Sequence, residues 1–147
     1  MTRLAPERSG PNAPALVAVL LVDDQEVFRD AARAVVEATP GLMVVGEADS
    51  AEAAMLAFDA LLPDFVILDV RMPGIDGPEL VATLVGRKPP PLLLLVSAQP
   101  APTPLPTAAN GSAVAFAAKQ NLTPALLLRV WNGRPGAPPV AQLETQP

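Results

Sequence analysis

The strongest constraint on this chain is a rhythm: short, largely apolar runs recur through its middle, and most are followed by a stretch whose apolar residues return at helical spacing. Leu16 to Val22, Leu42 to Val45, Phe65 to Val70 and Leu92 to Val96 are such runs, with Val114 to Ala118 as a weaker fifth. They suit strands covered on both faces. Between the first two, Phe28, Ala31, Val35 and Ala38 share one helical stripe, while Glu26, Arg29, Arg33 and Glu37 lie off it. Pro40-Gly41 stops that helix. Asp49 and Glu52 form a capping box for a helix running to about Leu62. Asp76, Pro78 and Glu79 supply an N-cap, an early proline and an acidic first turn for a helix to about Val85. Thr123-Pro124 opens a last helix carrying Leu126, Leu127, Val130 and Trp131. Alternation of this kind demands right-handed crossovers, hence an α/β fold with a parallel sheet and helices on both faces.

Proline sets the borders of that fold. Most of the 19 prolines fall in three stretches, of which the first and last mark residues 1–15 and 133–147 as tails too poor in apolar surface to offset their chain entropy. One domain over 16–132 remains. The middle stretch holds Pro100, Pro102, Pro104 and Pro106. Each proline inside a helix costs about 3 kcal/mol, so no helix can run through residues 99–106.

Several kinds of chemistry are absent. With no Cys and no His, the chain has no disulfide, thiolate, His metal site or His-based triad. Its formal charge of −5 and its few, scattered Lys and Arg argue against direct nucleic-acid binding. No apolar run approaches the roughly 18 residues that span a bilayer, and the first residues lack a signal peptide's apolar segment. The expectation is a cytoplasmic protein without membrane contact.

Sites in parallel sheets lie at the carboxyl ends of the strands. Asp23 and Asp24 follow the first run, Asp69 ends the third, Ser97 closes the fourth, and Lys119 follows the fifth. Three carboxylates, a hydroxyl and an ammonium thus converge from distant parts of the chain. Crowded carboxylates raise one another's pKa unless a cation joins them, and a hard divalent cation with oxygen ligands, Mg2+, suits the set.

Taken in order, Asp23-Asp24, the segment Asp69-Val70-Arg71-Met72-Pro73-Gly74-Ile75-Asp76-Gly77, Ser97-Ala98 and Lys119 resemble the receiver domains of two-component response regulators, at that family's intervals. The phrases Gly46-Glu47-Ala48 and Leu122-Thr123-Pro124 are similar to those of the LuxR/NarL/FixJ-type subfamily. The resemblance implies a flavodoxin-like doubly wound five-stranded parallel sheet of order 2-1-3-4-5, here with an irregular Pro-rich segment in place of a regular fourth helix. It also implies phosphoryl transfer from a sensor histidine kinase to Asp69. Mg2+ would be held by Asp24, Asp69 and the backbone carbonyl of Arg71, with Asp23 acting through a water. Ser97 and Lys119 would bind the phosphoryl oxygens, and Phe116 would occupy the family's switch-aromatic position.

The residues also admit plainer roles. Asp24 could simply cap the first helix, Phe116 could be core, and Trp131 reads as packing. A haloacid-dehalogenase-type phosphatase would also use a strand-end Asp, but it expects an acidic residue where Arg71 stands. After Trp131 too few residues follow to form a DNA-binding module. The expectation is therefore a stand-alone phosphoacceptor signalling protein, not a turnover enzyme, that acts on an unknown downstream protein or through a homodimer. The alternatives are a receiver-like scaffold that works without phosphorylation and a truncated DNA-binding regulator.

Overall fold

The apolar runs become the strands of one sheet, with the first, third and fourth in its interior and the second and fifth at its borders. In chain order the elements are β1 (Val17–Val22), α1 (Glu26–Glu37), β2 (Leu42–Ala48), α2 (Ala51–Leu61), β3 (Phe65–Asp69), α3 (Gly77–Val85), β4 (Leu92–Ser97), β5 (Val114–Ala118) and α4 (Pro124–Asn132), with a 3-10 turn at Lys119–Asn121. This is a computed structural model, and it describes residues 16–72, 77–98 and 114–134. The expected N-terminal tail, the expected C-terminal tail from residue 135 onward, the turn formers Pro73 to Asp76 and the Pro-rich segment 99–106 lie outside the described residues, whereas Gly133 and Arg134 close α4.

The strands form a five-stranded sheet in the order β2-β1-β3-β4-β5, with every neighbouring pair parallel. Alternate residues of the central strands feed two cores. Val19, Leu21, Ile67 and Leu94 face α1 and α4, while Leu20, Val22, Leu68 and Leu95 face α2 and α3. Each fully buried Leu or Val contributes roughly 2 kcal/mol relative to exposure, which is why these central strands carry no polar residue before their carboxyl ends.

The helices show where local pattern and packing differ. The inward stripe of α1 consists of Phe28, Ala32, Val35 and Val36, whereas Ala31 and Ala38 are exposed. The stripe expected from sequence was turned by one position, because Ala is indifferent to burial and cannot fix a helix's rotation. Helix α2 is capped by Ser50, whose hydroxyl accepts from the Ala53 N–H at 3.1 Å, and not by Asp49. Strand β2 runs through Ala48, which puts Ser50 at the first position where the chain can turn into the helix. Thr123 caps α4 as expected, accepting from Leu126 N–H at 3.1 Å.

Strand β2 carries one irregularity. Val19 pairs with Val44 but Leu20 pairs with Gly46, so Val45 is an extra residue with no partner on β1. Side chains alternate along a strand, and a one-residue bulge therefore exchanges the two faces beyond it. Leu42 and Val44 pack toward α1, Ala48 packs with the opposite core, and Glu47 meets the arginines of α1.

Candidate functional site

The parallel arrangement gathers the carboxyl ends of all strands at one edge. The Asp23 N–H donates to the Ala48 carbonyl at 3.0 Å, which extends the β1–β2 pairing by one residue. Asp23 is 1% exposed, Asp69 5% and Ser97 0%, while Asp24 is exposed. Lys119 begins the turn after β5. The structure thus brings together Asp23, Asp24, Asp69, Ser97 and Lys119. Phe116 stays outside this cluster, half-buried against the α2–α3 core.

The ammonium of Lys119 joins the buried carboxylates. Its Nζ lies 2.7 Å from Asp23 Oδ2 and 3.1 Å from Asp69 Oδ2. It also donates to Gln25 Oε1 at 3.3 Å, and the Phe28 ring lies beneath it with the centroid at 4.3 Å. The remaining oxygens are held by backbone: Gln25 N–H donates to Asp23 Oδ1 and Arg71 N–H to Asp69 Oδ1, each at 2.8 Å. The side chain of Arg71 turns to β4, where its Nε donates to Ser97 Oγ at 3.1 Å.

Burial pushes the Asp23 carboxyl above its usual range, aided by the negative Asp69 and opposed by Lys119 and Gln25. For Lys119 burial acts downward, but the close negative carboxylates of Asp23 and Asp69 outweigh it and raise the ammonium above its ordinary value. The lysine is thus fixed in its charged form.

The donors fit a hard cation. One carboxylate oxygen from each of Asp23, Asp24 and Asp69 lies within 4.8 Å of the others. Asp23 Oδ2 is buried and touches Lys119 only as an ion pair, outside hydrogen-bond geometry. An oxygen so placed gains from a second positive partner, and three oxygens at this spacing suit Mg2+ better than a softer metal.

Sequence reasoning did not find Gln25 and Phe28 as supports of Lys119, nor the Arg71 side chain on Ser97. It also missed Arg29, which donates from Nη1 to the Asp23 carbonyl at 2.7 Å and from Nε to Glu47 at 3.1 Å. The one signal was the Gly46-Glu47-Ala48 phrase, whose glutamate had no assigned task.

Comparison with known proteins agrees with this architecture. A family model described as "Response regulator receiver domain" matches residues 19–130. The chain is 35% identical over 108 residues to "Probable transcriptional regulatory protein NarL" of Mycobacterium tuberculosis, which is 74% of this chain and 50% of that protein. It is 46% identical over 74 residues to "DNA-binding transcriptional activator DevR/DosR" of the same organism, 50% of this chain and 34% of that one. The chain therefore spans half or less of these relatives' lengths. The solved signal receiver domain of the response regulator NarL from Mycobacterium tuberculosis superposes with a TM-score of 0.65 at 32% identity, over 82% of this chain and all of that one. A match across nearly the whole sheet, with the acidic edge inside it, means that the chain belongs to the response regulator receiver domain family.

Proposed function

We propose that the chain is a phosphoacceptor: a carboxylate oxygen of Asp69 attacks the phosphorus of a phosphohistidine on a sensor histidine kinase. The P–N bond breaks, imidazole leaves and takes up a proton, and an aspartyl phosphate forms. The carrying observation is that buried Asp69 is held between the Arg71 N–H and the Lys119 ammonium, beside a second buried carboxylate. Having no His, the chain needs the phosphoryl group from another molecule.

Asp23, Asp24, Asp69 and the backbone carbonyl of Arg71 would hold Mg2+, with Asp23 acting through a water. Bound there, it would neutralise charge on the nucleophile and the incoming phosphoryl oxygens. The Lys119 ammonium orients Asp69 before transfer and pairs with a phosphoryl oxygen after it. The Ser97 hydroxyl turns inward to donate to another, a bond it can make while its oxygen still accepts from Arg71 Nε. Phe116 in this reading follows the movement of Ser97 from the neighbouring strand, since β4 and β5 are paired through Ser97 and Ala118.

The phosphorylated form would act in the cytoplasm on a downstream protein, as a signalling module that promotes only its own phosphorylation and dephosphorylation. The acidic charge disfavours nucleic acid as the direct ligand of these residues. Among the described residues no helix is long and apolar enough to cross a membrane. Incubation with Mg2+ and acetyl phosphate, or with a phosphorylated kinase, should add one acid-labile phosphoryl group. Absence of label with both donors overturns the reading.

A further inference from the structure

Glu47 belongs to a short sequence phrase that the phosphoacceptor chemistry leaves unused, and its surroundings show a purpose. Its carboxylate is clamped by two guanidinium groups: Arg29 Nε donates to Oε1 at 3.1 Å and Arg33 Nε to Oε2 at 2.6 Å. Arg33 is itself tied to Asp30 at 3.1 Å. The Arg29–Glu47 pair is largely shielded, with side chains 17% and 24% exposed, so it is screened less than an open surface pair. Arg29 then uses a second nitrogen, Nη1, to hold the carbonyl of Asp23 at 2.7 Å.

That carbonyl belongs to the peptide joining Asp23 to Asp24. The N–H of Asp23 is already fixed by the carbonyl of Ala48, the neighbour of Glu47 on β2. Both backbone polar groups of Asp23 are therefore anchored to β2, one directly and one through Arg29. The anchor exists only because the Val45 bulge turns Glu47 toward α1; an unbroken alternation would have sent it to the α2 side.

We infer that Arg29 and Glu47 form a positioning pair that sets the Asp23–Asp24 peptide, and with it the aim of both acidic side chains, for cation binding. Neither residue is a ligand. Each acts through the loop, as groups behind metal ligands commonly do. The inference rests on the proposed cation site, and adds to it which residues outside the acidic cluster determine its affinity.

The test is a Mg2+ titration of the whole 15N-labelled chain, read by amide shifts, for the wild type and for Arg29→Met, Glu47→Gln, their combination and Arg29→Lys. Either single substitution should weaken Mg2+ roughly 10-fold, the size typical of lost support behind a metal ligand. The double variant should be little worse than either single one, since both cut the same strut. Arg29→Lys should recover part of the affinity. In metal-free protein the Asp24 amide resonance should move in Arg29→Met, return partway in Arg29→Lys, and leave the resonances of β3 and β4 in place. Glu47→Gln keeps the size of the side chain and so guards against simple misfolding. Unchanged Mg2+ affinity in folded Arg29→Met and Glu47→Gln overturns the inference while the cation site stands. A wild type that binds no Mg2+ overturns the cation site itself, and this inference with it.

Discussion

The two ends of the sheet hold their charges at different depths. At the carboxyl edge, Asp23 and Asp69 are buried beside the half-buried Lys119, and each carboxylate pairs with that lysine. At the amino edge, Phe58, Leu62, Pro89, Pro90 and Trp131 line an open groove of about 610 Å3. The arginines there stand near rings and partly open to solvent: Arg134 lies 3.7 Å from the Trp131 ring centroid, and Arg87 lies 6.0 Å from that of Phe58 while pairing with exposed Asp59 at 3.4 Å. Trp131 in turn stacks on Phe65 at 5.9 Å. A charge on a partly solvated ring can be lost with little effect on its neighbours, whereas a charge in a buried cluster cannot. The contrast separates an edge built for reactivity from one built for packing.

The sharpest break between the two ends should come from Asp69→Asn, which removes the nucleophile. Phosphoryl incorporation from acetyl phosphate should fall to background, whereas Trp131→Ala should label as the wild type does. Next in size is Lys119→Met. It leaves Asp23 and Asp69 buried without their shared cation, and breaking a buried pair costs on the order of 3 kcal/mol. Urea denaturation at neutral pH should show that loss, with saturating Mg2+ returning part of it; equal stability with and without the lysine would show the cluster to be better solvated than its burial indicates.

Trp131→Ala should cost about 2 kcal/mol, less than for a fully buried Trp because the ring is half-exposed, and should leave Mg2+ affinity unchanged. A shift in that affinity would mean the two ends are coupled. Smaller again is the neutral cap near the acidic edge: Ser50→Ala should lose about 1 kcal/mol and Asp49→Ala less than about 0.5 kcal/mol. Thermal unfolding of the two variants decides which residue starts α2.

The smallest effect concerns protons. Burial makes Asp23 titrate above the ordinary aspartate value of 3.8 in the folded protein. Between that value and the higher folded one, the native state keeps a proton that the unfolded chain releases, so this group's contribution to stability falls as pH rises through the window. The carboxyl carbon shift of Asp23 should show a midpoint above 3.8 without metal and a lower one with saturating Mg2+.

Most of the framework was legible because burial on both faces leaves an unmistakable trace: the continuous apolar runs β1, β3 and β4 admit no other reading. The strand-end residues Asp23, Asp24, Asp69, Ser97 and Lys119 were legible for a related reason, since a parallel sheet sends every strand's last residue to one edge. What escaped depended on register. Ser50 and Asp49 are equally good caps, and only the length of β2 chooses between them. Arg29 and Glu47 look like ordinary surface charges until a bulge that no local pattern announces puts them on one face. The double tie of Lys119 likewise depends on the turn after β5, whose apolar run is short and rich in Ala.

Among the described residues β2, which carries the Val45 bulge, is the outermost strand on its side of the sheet. An outer strand offers its free backbone groups to any extended segment that can match their spacing, and a seven-residue strand set against six on β1 does not keep that spacing. With Glu47 and the arginines of α1 standing beside the irregularity, an incoming strand would meet both a broken ladder and fixed charge. The residue that aims one glutamate also makes this border of the sheet a poor template for association between chains.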